Sequence, residues 1–213
     1  MNAINDILSA LETHGWAVCD ALIPASLTHR LFTEGQQRWE QGQFHDARIG
    51  REQQLARVTS IRGDSILWLE PESQYPASQE LTGLMQQALN RYFFLGLKQM
   101  ELHYARYASG TGYARHLDQH KNTTFRKITL VSYLNPEWSQ ADGGELVLYD
   151  PENPRLEIQR ILPVAGRTVI FRSDLIEHEV LPCQKPRWSI TGWFRDDERL
   201  YDIGEYLSEV VVT

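Results

Sequence analysis

The segment Ile128-Thr-Leu-Val-Ser-Tyr-Leu134 decides the fold, because its residues alternate between two sets that would face opposite sides of a β-strand. Met100, Leu102 and Tyr104 alternate in the same way. Turn signals separate such segments, at Asn135-Pro136, Asp142-Gly143-Gly144, Asp150-Pro151 and residues 163–166. Many short strands joined by regular turns indicate a β-sandwich or a jelly roll.

The residues before this region have the apolar spacing of helices. We expect Gly15 to end a first helix, ahead of a short strand over residues 16–19. Pro24 suits the first turn of a second helix that runs to about Glu40, and Pro76 opens a third. The third helix carries an apolar stripe that we expect to pack against a sheet, formed by Leu81, Leu84, Met85, Ala88, Leu89 and Tyr92.

We therefore predict an α+β fold, a double-stranded β-helix (jelly-roll) core with buttressing N-terminal helices. With 42% apolar residues among 213, the chain can form one domain over 1–213. Its helical and hairpin support spans about 1–96, its core about 97–197 and a short tail about 198–213. Residues 42–69 are polar and punctuated by glycine, which predicts a long hairpin or flap.

Composition limits the possible partners. The net charge of −7 and a pI near 5.5 argue against broad contact with a nucleic-acid backbone. No apolar run reaches the roughly 18 residues that suggest a membrane span, and the polar N-terminus does not resemble a signal peptide. We therefore expect binding to neither nucleic acid nor membrane. Cys19 and Cys183 lack the spacing of metal-binding cysteines, so we expect two reduced thiols in a cytoplasmic protein.

Three residues have the chemistry of a divalent iron site. His116 and Asp118 follow a Gly- and Tyr-rich turn, and residues two apart on a strand share one face. His178 lies in a later strand-like segment. A lone His-x-Asp pair is weak evidence, but two imidazoles and one carboxylate can hold iron on one face and leave the other open. We expect no ligand role for His103 and a solvent-facing side chain for His120.

A second group lies on the last predicted strand, where Arg187, Ser189, Thr191 and Trp193 share one face. If that face lines the barrel, a buried guanidinium points into the cavity and needs a carboxylate from the protein or from a ligand. Tyr133 on a neighbouring strand offers a second donor, which favours a ligand. Divalent iron bound to one aspartate carries a net charge of +1. A dicarboxylate dianion and the arginine cation bring the total charge to zero, which a low-dielectric pocket favours.

These residues resemble the prolyl 4-hydroxylase branch of the Fe(II)/2-oxoglutarate oxygenases. The likeness is stronger to the prolyl-hydroxylase-domain enzymes that act on hypoxia-inducible factor in animals, and to their bacterial relatives. It covers roughly residues 44–200. The matching motifs are Gly110-Thr-Gly-Tyr113-Ala-Arg-His116-Leu-Asp118, Tyr133-Leu134-Asn135, Gly143-Gly144-Glu145-Leu146, His178-Glu179-Val180 and Ile61-Arg62-Gly63-Asp64-Ser65-Ile66-Leu67-Trp68.

The resemblance implies roles for individual residues. His116, Asp118 and His178 would ligate iron and form the catalytic centre. Arg187 and Tyr133 would bind the distal carboxylate of 2-oxoglutarate, with Thr191 nearby. The remaining co-substrate pocket would be lined by Tyr107, Val131, Leu146, Val180 and Trp193.

The resemblance also implies a substrate entrance and a reaction. Arg62, Asp64 and Arg126 would lie at the entrance, where Asp64 and Arg126 pair as a mobile loop closes. A prolyl residue of a protein would be hydroxylated while 2-oxoglutarate and O2 give succinate and carbon dioxide, with ascorbate as a possible reductant. For bacterial relatives the implied protein partner is elongation factor Tu.

Two alternatives stay open. An oxygenase of the same superfamily could act on another substrate, a small molecule or a nucleic acid. Nucleic-acid demethylases resembling this chain carry a second arginine six residues after the first, where this sequence has Trp193. The other alternative is a jelly-roll binding module without a metal.

Anaerobic addition of Fe(II) and 2-oxoglutarate separates these classes. An oxygenase should develop a weak visible charge-transfer band, because the keto acid binds the iron directly. A protein that remains colourless at saturating concentrations of both would be a binding module instead.

Overall fold

The computed structural model describes residues 3–20, 22–47, 62–70, 76–119 and 124–198. Over these ranges the chain forms three α-helices, α1 Ala3–His14, α2 Ala25–Glu40 and α3 Pro76–Phe93. The strands are β1 Trp16–Cys19, β2 His45–Asp46, β3 Asp64–Leu69, β4 Gln99–Tyr107, β5 Tyr113–His116, β6 Arg126–Tyr133, β7 Leu146–Tyr149, β8 Glu157–Ile161, β9 Thr168–Arg172, β10 His178–Val180 and β11 Arg187–Arg195. A short 3₁₀ helix spans Gln140–Asp142.

The strands form two antiparallel sheets. The larger sheet has the order β1-β9-β6-β11-β4-β3-β2, and the smaller has the order β5-β10-β7-β8. Neighbours in each sheet are mostly distant in sequence, so the chain crosses repeatedly between them. This arrangement confirms the predicted double-stranded β-helix, and it turns one face of each sheet towards the other.

Alternation along β6 divides its side chains between two cores. Val131 and Tyr133 point between the sheets, where they pack with Leu146 and Val180 of the smaller sheet. Ile128 and other residues of the opposite set face the helices. Sequence alternation therefore assigns one face to a cavity between the sheets and the other to helix packing, as predicted.

The helices cover the outer face of the larger sheet. Ile7, Leu8 and Leu11 of α1 join Met85 and Leu89 of α3 in one buried cluster with β6, β9 and β11. A second cluster packs α2 against β4 and β11. These contacts confirm that the N-terminal helices buttress the jelly roll.

The predicted apolar stripe on α3 was partly wrong. Met85 and Leu89 are buried, but Leu84 and Tyr92 remain 49% and 44% exposed. The phenol of Tyr92 donates a hydrogen bond to Glu12 on α1, 2.6 Å away. The contact of α3 with its neighbours is therefore narrower than the apolar stripe of its sequence.

The predicted flap is described only at its base. β2 pairs with β3, His45 opposite Ile66, which forms the antiparallel stem of a hairpin. The predicted flap residues 48–61, the predicted tail beyond Glu198, and His120 lie outside the described residues. No helix in the described ranges is long and apolar enough to cross a membrane.

Replacing Leu89 with alanine should lower the free energy of unfolding by about 2–5 kcal/mol, because a fully buried side chain leaves a cavity between α3 and the sheet. Leu84→Ala on the same helix is the matched control and should change it by less than about 0.5 kcal/mol. Urea denaturation measures both. Equal effects of the two substitutions would contradict this packing.

Candidate metal and co-substrate site

His116, Asp118 and His178 meet between the two sheets. His116 ends β5, His178 begins β10, and the two residues lie opposite each other in the strand pair. Asp118 is two residues past the end of β5, so the expectation that it lies on the strand was wrong. One ligand atom from each of the three lies within 4.8 Å of the others, close enough to hold one metal ion.

Backbone carbonyls fix both imidazoles in the form that binds metal. Nδ1 of His116 lies 2.8 Å from the carbonyl oxygen of Ala114, and Nδ1 of His178 lies 3.1 Å from that of Ile176. A carbonyl oxygen can only accept, so each Nδ1 carries the proton and each Nε2 keeps its lone pair. Those Nε2 atoms are 3.6 and 3.7 Å from the carboxylate oxygens of Asp118.

Electrostatics favour the metal-binding protonation states. Burial raises the pKa of Asp118, but His178, His116 and a hydrogen bond from Thr129 outweigh it, so the pKa lies well below its usual range. Burial lowers the pKa of His178 to about 4. Near neutral pH the site therefore offers a carboxylate and a neutral imidazole, the forms that coordinate a divalent ion.

A hydroxyl binds the carboxylate of Asp118, and a second hydroxyl binds the first. Oγ1 of Thr129 donates to its Oδ2 at 2.7 Å, and Oγ of Ser173 lies 2.8 Å from that threonine oxygen. Both residues are fully buried. Such outer hydrogen bonds fix the orientation of a metal-binding carboxylate.

Arg187 lies on the inner face of the larger sheet, across the cavity from the two histidines, with part of its guanidinium unpaired. Its Nε donates to the carbonyl oxygen of Gly144 at 2.8 Å, yet its Nη2 and the hydroxyl of Tyr133 are buried without a partner among the described residues. The guanidinium carbon is 5.0 Å from the Tyr133 ring centroid and 5.1 Å from that of Tyr107. Burial raises the pKa of Tyr133 to about 12, so its hydroxyl remains a donor.

Gly144 makes room for this arginine. Its φ of +70° is in the left-handed region, and an added Cβ would lie 3.1 Å from Cδ of Arg187 and 2.9 Å from Cβ of Cys183. A larger residue would therefore strain the backbone and displace the side chain. The Gly143-Gly144 pair in the sequence thus belongs to the anchor as well as to a turn.

Comparisons with known proteins agree with this geometry. The sequence profile of the 2OG-Fe(II) oxygenase superfamily matches residues 102–195. The crystal structure of a prolyl-4-hydroxylase from Pseudomonas putida is 34% identical, with a TM-score of 0.79, and the match covers 92% of this chain and 100% of that one. The chain belongs to the prolyl hydroxylases of this superfamily.

Two animal relatives extend the match. A Trichoplax adhaerens prolyl hydroxylase, solved with a peptide fragment of the hypoxia-inducible factor oxygen degradation domain, is 26% identical with a TM-score of 0.80, covering 91% of this chain and 89% of that one. Egl nine homolog 1 of Rattus norvegicus is 29% identical over 97% of this chain. The match to the present chain spans 63% of the length of the rat protein and 50% of the length of the human Egl nine homolog 1.

Enzymes of this superfamily use Fe(II), 2-oxoglutarate and O2, and the residues present fit the first two. The His-Asp-His group offers the donor set of a facial iron site. The unpaired Nη2 of Arg187 and hydroxyl of Tyr133 fit a carboxylate, because no described acidic side chain forms an ion pair with that arginine.

The other predicted pocket residues surround these two groups. Val131, opposite Thr191, and Tyr107, opposite Arg187, lie on the inner face of the larger sheet. Leu146 and Val180 face them from the smaller sheet. Trp193 is also buried, and its indole Nε1 has no partner among the described residues.

Asp64 and Arg126 each pair with another residue in this structure, so their expected pairing on loop closure stays a prediction. Asp64 accepts two hydrogen bonds from Arg62, at 2.7 and 3.1 Å. Arg126 donates to Glu101 at 2.6 Å, and Glu101 also binds Arg195 at 2.8 Å. Each predicted partner thus has a nearer one, because buried charges require compensation in the folded chain itself.

Three residues near the metal ligands were missed or undervalued by sequence reasoning. Thr129 shares the inward face of β6 with Val131, so alternation could have identified it, whereas Ser173 gave no local signal. The ring of Tyr113 stacks on His116 with centroids 3.7 Å apart, and the guanidinium of Arg62 lies 4.9 Å from the centroid of the Tyr113 ring. Arg115 points away from the metal ligands and pairs with Glu177.

Replacing Thr129 with valine should weaken Mn(II) binding by roughly 10- to 100-fold, because Asp118 loses the hydrogen bond that orients it. Thr168→Val is a matched control, since Thr168 is equally buried but bonds Ser132 on the outer face of the sheet. Calorimetric titration measures both affinities. Loss of affinity in the control variant alone, or in neither, would contradict the assigned role of Thr129.

Proposed function

We propose that this chain is an Fe(II)- and 2-oxoglutarate-dependent prolyl 4-hydroxylase that acts on a prolyl residue in a protein. The observation that carries the proposal is the pair of unpaired buried donors, Arg187 Nη2 and Tyr133 Oη, on the face that also looks towards the His-Asp-His group. A buried, unpaired guanidinium is costly unless an anion binds it. A keto acid with a second carboxylate meets that requirement and leaves its other end for the metal.

The protein's contribution is to bind and orient. His116, Asp118 and His178 would hold Fe(II), while Arg187 and Tyr133 would bind the distal carboxylate of 2-oxoglutarate beside Thr191. When bound, the iron and keto acid supply the oxidising chemistry that adds one oxygen atom of O2 to the substrate and the other to succinate. Fixing both partners in one geometry is the main way that protein side chains can accelerate such a reaction.

The cavity wall keeps water away from the reacting groups. Val131, Leu146 and Val180 present apolar surface from both sheets, and each is buried. Tyr107 closes the wall beside Arg187. Low water access strengthens the arginine–carboxylate attraction and limits unproductive reactions.

The protein substrate would approach from the β2–β3 side. Arg62 and Asp64 form a bidentate ion pair there, and Arg126 at the start of β6 lies over the ring of Trp193. The Trichoplax relative was solved with a peptide fragment of the hypoxia-inducible factor oxygen degradation domain, which supports a peptide rather than a small molecule as the substrate here. Elongation factor Tu is the candidate protein, supported by the likeness to bacterial prolyl hydroxylases. We propose that helices, hairpin and jelly roll act as one domain.

Removing the arginine should selectively reduce co-substrate affinity. In Arg187→Ala, 2-oxoglutarate binding should weaken by about 3–5 kcal/mol, the cost of removing one partner from a buried charge pair. Anaerobic titration of the Fe(II) complex, followed by its charge-transfer absorbance, gives the dissociation constant. Arg115→Ala, which alters an outward-facing ion pair, is the control and should bind normally. An unchanged constant in Arg187→Ala would refute the anchor.

Hydroxylation itself is tested with purified elongation factor Tu. The enzyme with Fe(II), 2-oxoglutarate and oxygen should add one oxygen atom to a proline, detected by peptide mass spectrometry. Asp118→Asn, which removes a charged metal ligand, should leave the factor unmodified. If the wild-type enzyme modifies no proline of the factor, the proposed substrate is wrong. Screening cell lysate for added oxygen on proline would then test the reaction class.

A further inference from the structure

His103 is buried in the middle of β4, between two indoles. Its side chain is 2% exposed, and its ring stacks on Trp193 with centroids 5.3 Å apart and planes 20° apart. Trp68 lies against it at 4.8 Å. Sequence spacing gave no role to this histidine, and the metal and 2-oxoglutarate assignments do not use it.

Nδ1 of His103 is buried without a hydrogen-bond partner among the described residues. Burial, reinforced by the Arg62 charge, lowers the pKa of His103 to about 3, so its ring is neutral near neutral pH. A neutral imidazole has one donor and one acceptor nitrogen, and an unmet polar atom in such a site costs free energy. Nε1 of the stacked Trp193 is unpaired in the same way.

His103 lies on the inner face of the larger sheet, beside the predicted co-substrate residues Thr191 and Trp193 and on their β3 side. Trp68, His103, Thr191 and Val131 lie directly opposite one another across β3, β4, β11 and β6. Tyr133 and the Asp118 partner Thr129 are on β6, whereas His103 lies on the other side of β11, towards β3. That is the side on which Arg62 and Asp64 are found.

Several charged side chains surround His103. Charges on Arg62, Asp64, Arg126 and Asp118 all act on the pKa of its ring. Arg126 stacks over Trp193, 3.7 Å from its ring centroid. His103 therefore lies between β3, which begins at Asp64, and β11, which carries the predicted co-substrate residues.

We infer that His103 determines specificity by donating a hydrogen bond from Nδ1 to a main-chain carbonyl of the segment that carries the target proline. This inference rests on the proposed function. A prolyl residue has no N–H, so its main chain can only accept hydrogen bonds and suits a donor in the wall. The dianionic co-substrate already has a cation, a phenol and a metal, and a neutral ring adds nothing comparable.

Three substitutions separate this hydrogen bond from packing. His103→Met keeps apolar bulk but cannot donate. His103→Asn places an amide nitrogen near the position of Nδ1, whereas His103→Gln places it near Nε2. His29→Met, on the exposed face of α2, is the control for the chemical change itself.

The experiment measures binding of elongation factor Tu to the Mn(II)·2-oxoglutarate enzyme by calorimetry, together with its KM and kcat in the Fe(II) enzyme. His103→Met and His103→Gln should raise the dissociation constant and KM about tenfold, equivalent to about 1.4 kcal/mol, with a smaller change in kcat. His103→Asn should restore binding to within about threefold of wild type. The charge-transfer titration with 2-oxoglutarate confirms that each variant is folded.

The outcomes distinguish the inference from the proposed function. Wild-type protein that neither binds nor hydroxylates the factor would overturn the proposed substrate and this inference together. Normal binding of the factor by His103→Met would overturn the inference alone. So would an equal loss of 2-oxoglutarate affinity, or a failure of His103→Asn to restore binding in a folded variant.

Discussion

A permanent positive charge buried between two sheets is the constraint on which the rest of the site depends. Arg187 is 1% exposed, and its only hydrogen bond among the described residues goes to a backbone carbonyl. Guanidinium cannot lose its proton to escape this environment. A bound anion would complete the cavity, and the nearby phenol of Tyr133 would give that anion a second donor. The histidines of the metal group lie across the cavity on the smaller sheet, so one dicarboxylate between the sheets could satisfy both ends.

Backbone geometry does much of the work that side-chain chemistry then uses. Two carbonyl oxygens set the protonated nitrogen of each imidazole, and the small Gly144 lets Arg187 extend along the cavity. The imidazole orientation requires only backbone carbonyls two residues before each histidine, and the room for Arg187 requires only a glycine. The helices contribute from outside, since their apolar clusters hold the larger sheet flat against them and leave its inner face to the site.

Much of this could be predicted from the sequence because it follows from local periodicity. Alternation on β6 and β11 correctly assigned Tyr133, Arg187 and Trp193 to one face, and the first helix ended at Gly15 as its φ of +78° requires. Long-range pairing was less accessible. The Ser173 hydroxyl bonds Thr129, which in turn bonds Asp118. Arg126 forms its ion pair with Glu101 rather than with Asp64. Such choices depend on three-dimensional proximity, which one sequence does not encode as a pattern. The predicted burial of the whole α3 stripe was partly wrong for a related reason. Helix periodicity predicts which face is apolar, but not how much of that face packs against another element.

The most direct test is a crystal structure of the protein grown without oxygen in the presence of Fe(II) and 2-oxoglutarate. The account predicts density for one ion contacted by His116, Asp118 and His178, and for a keto acid whose distal carboxylate contacts both Arg187 and Tyr133. A keto acid bound away from that arginine, or an ion held by fewer than these three residues, would contradict it.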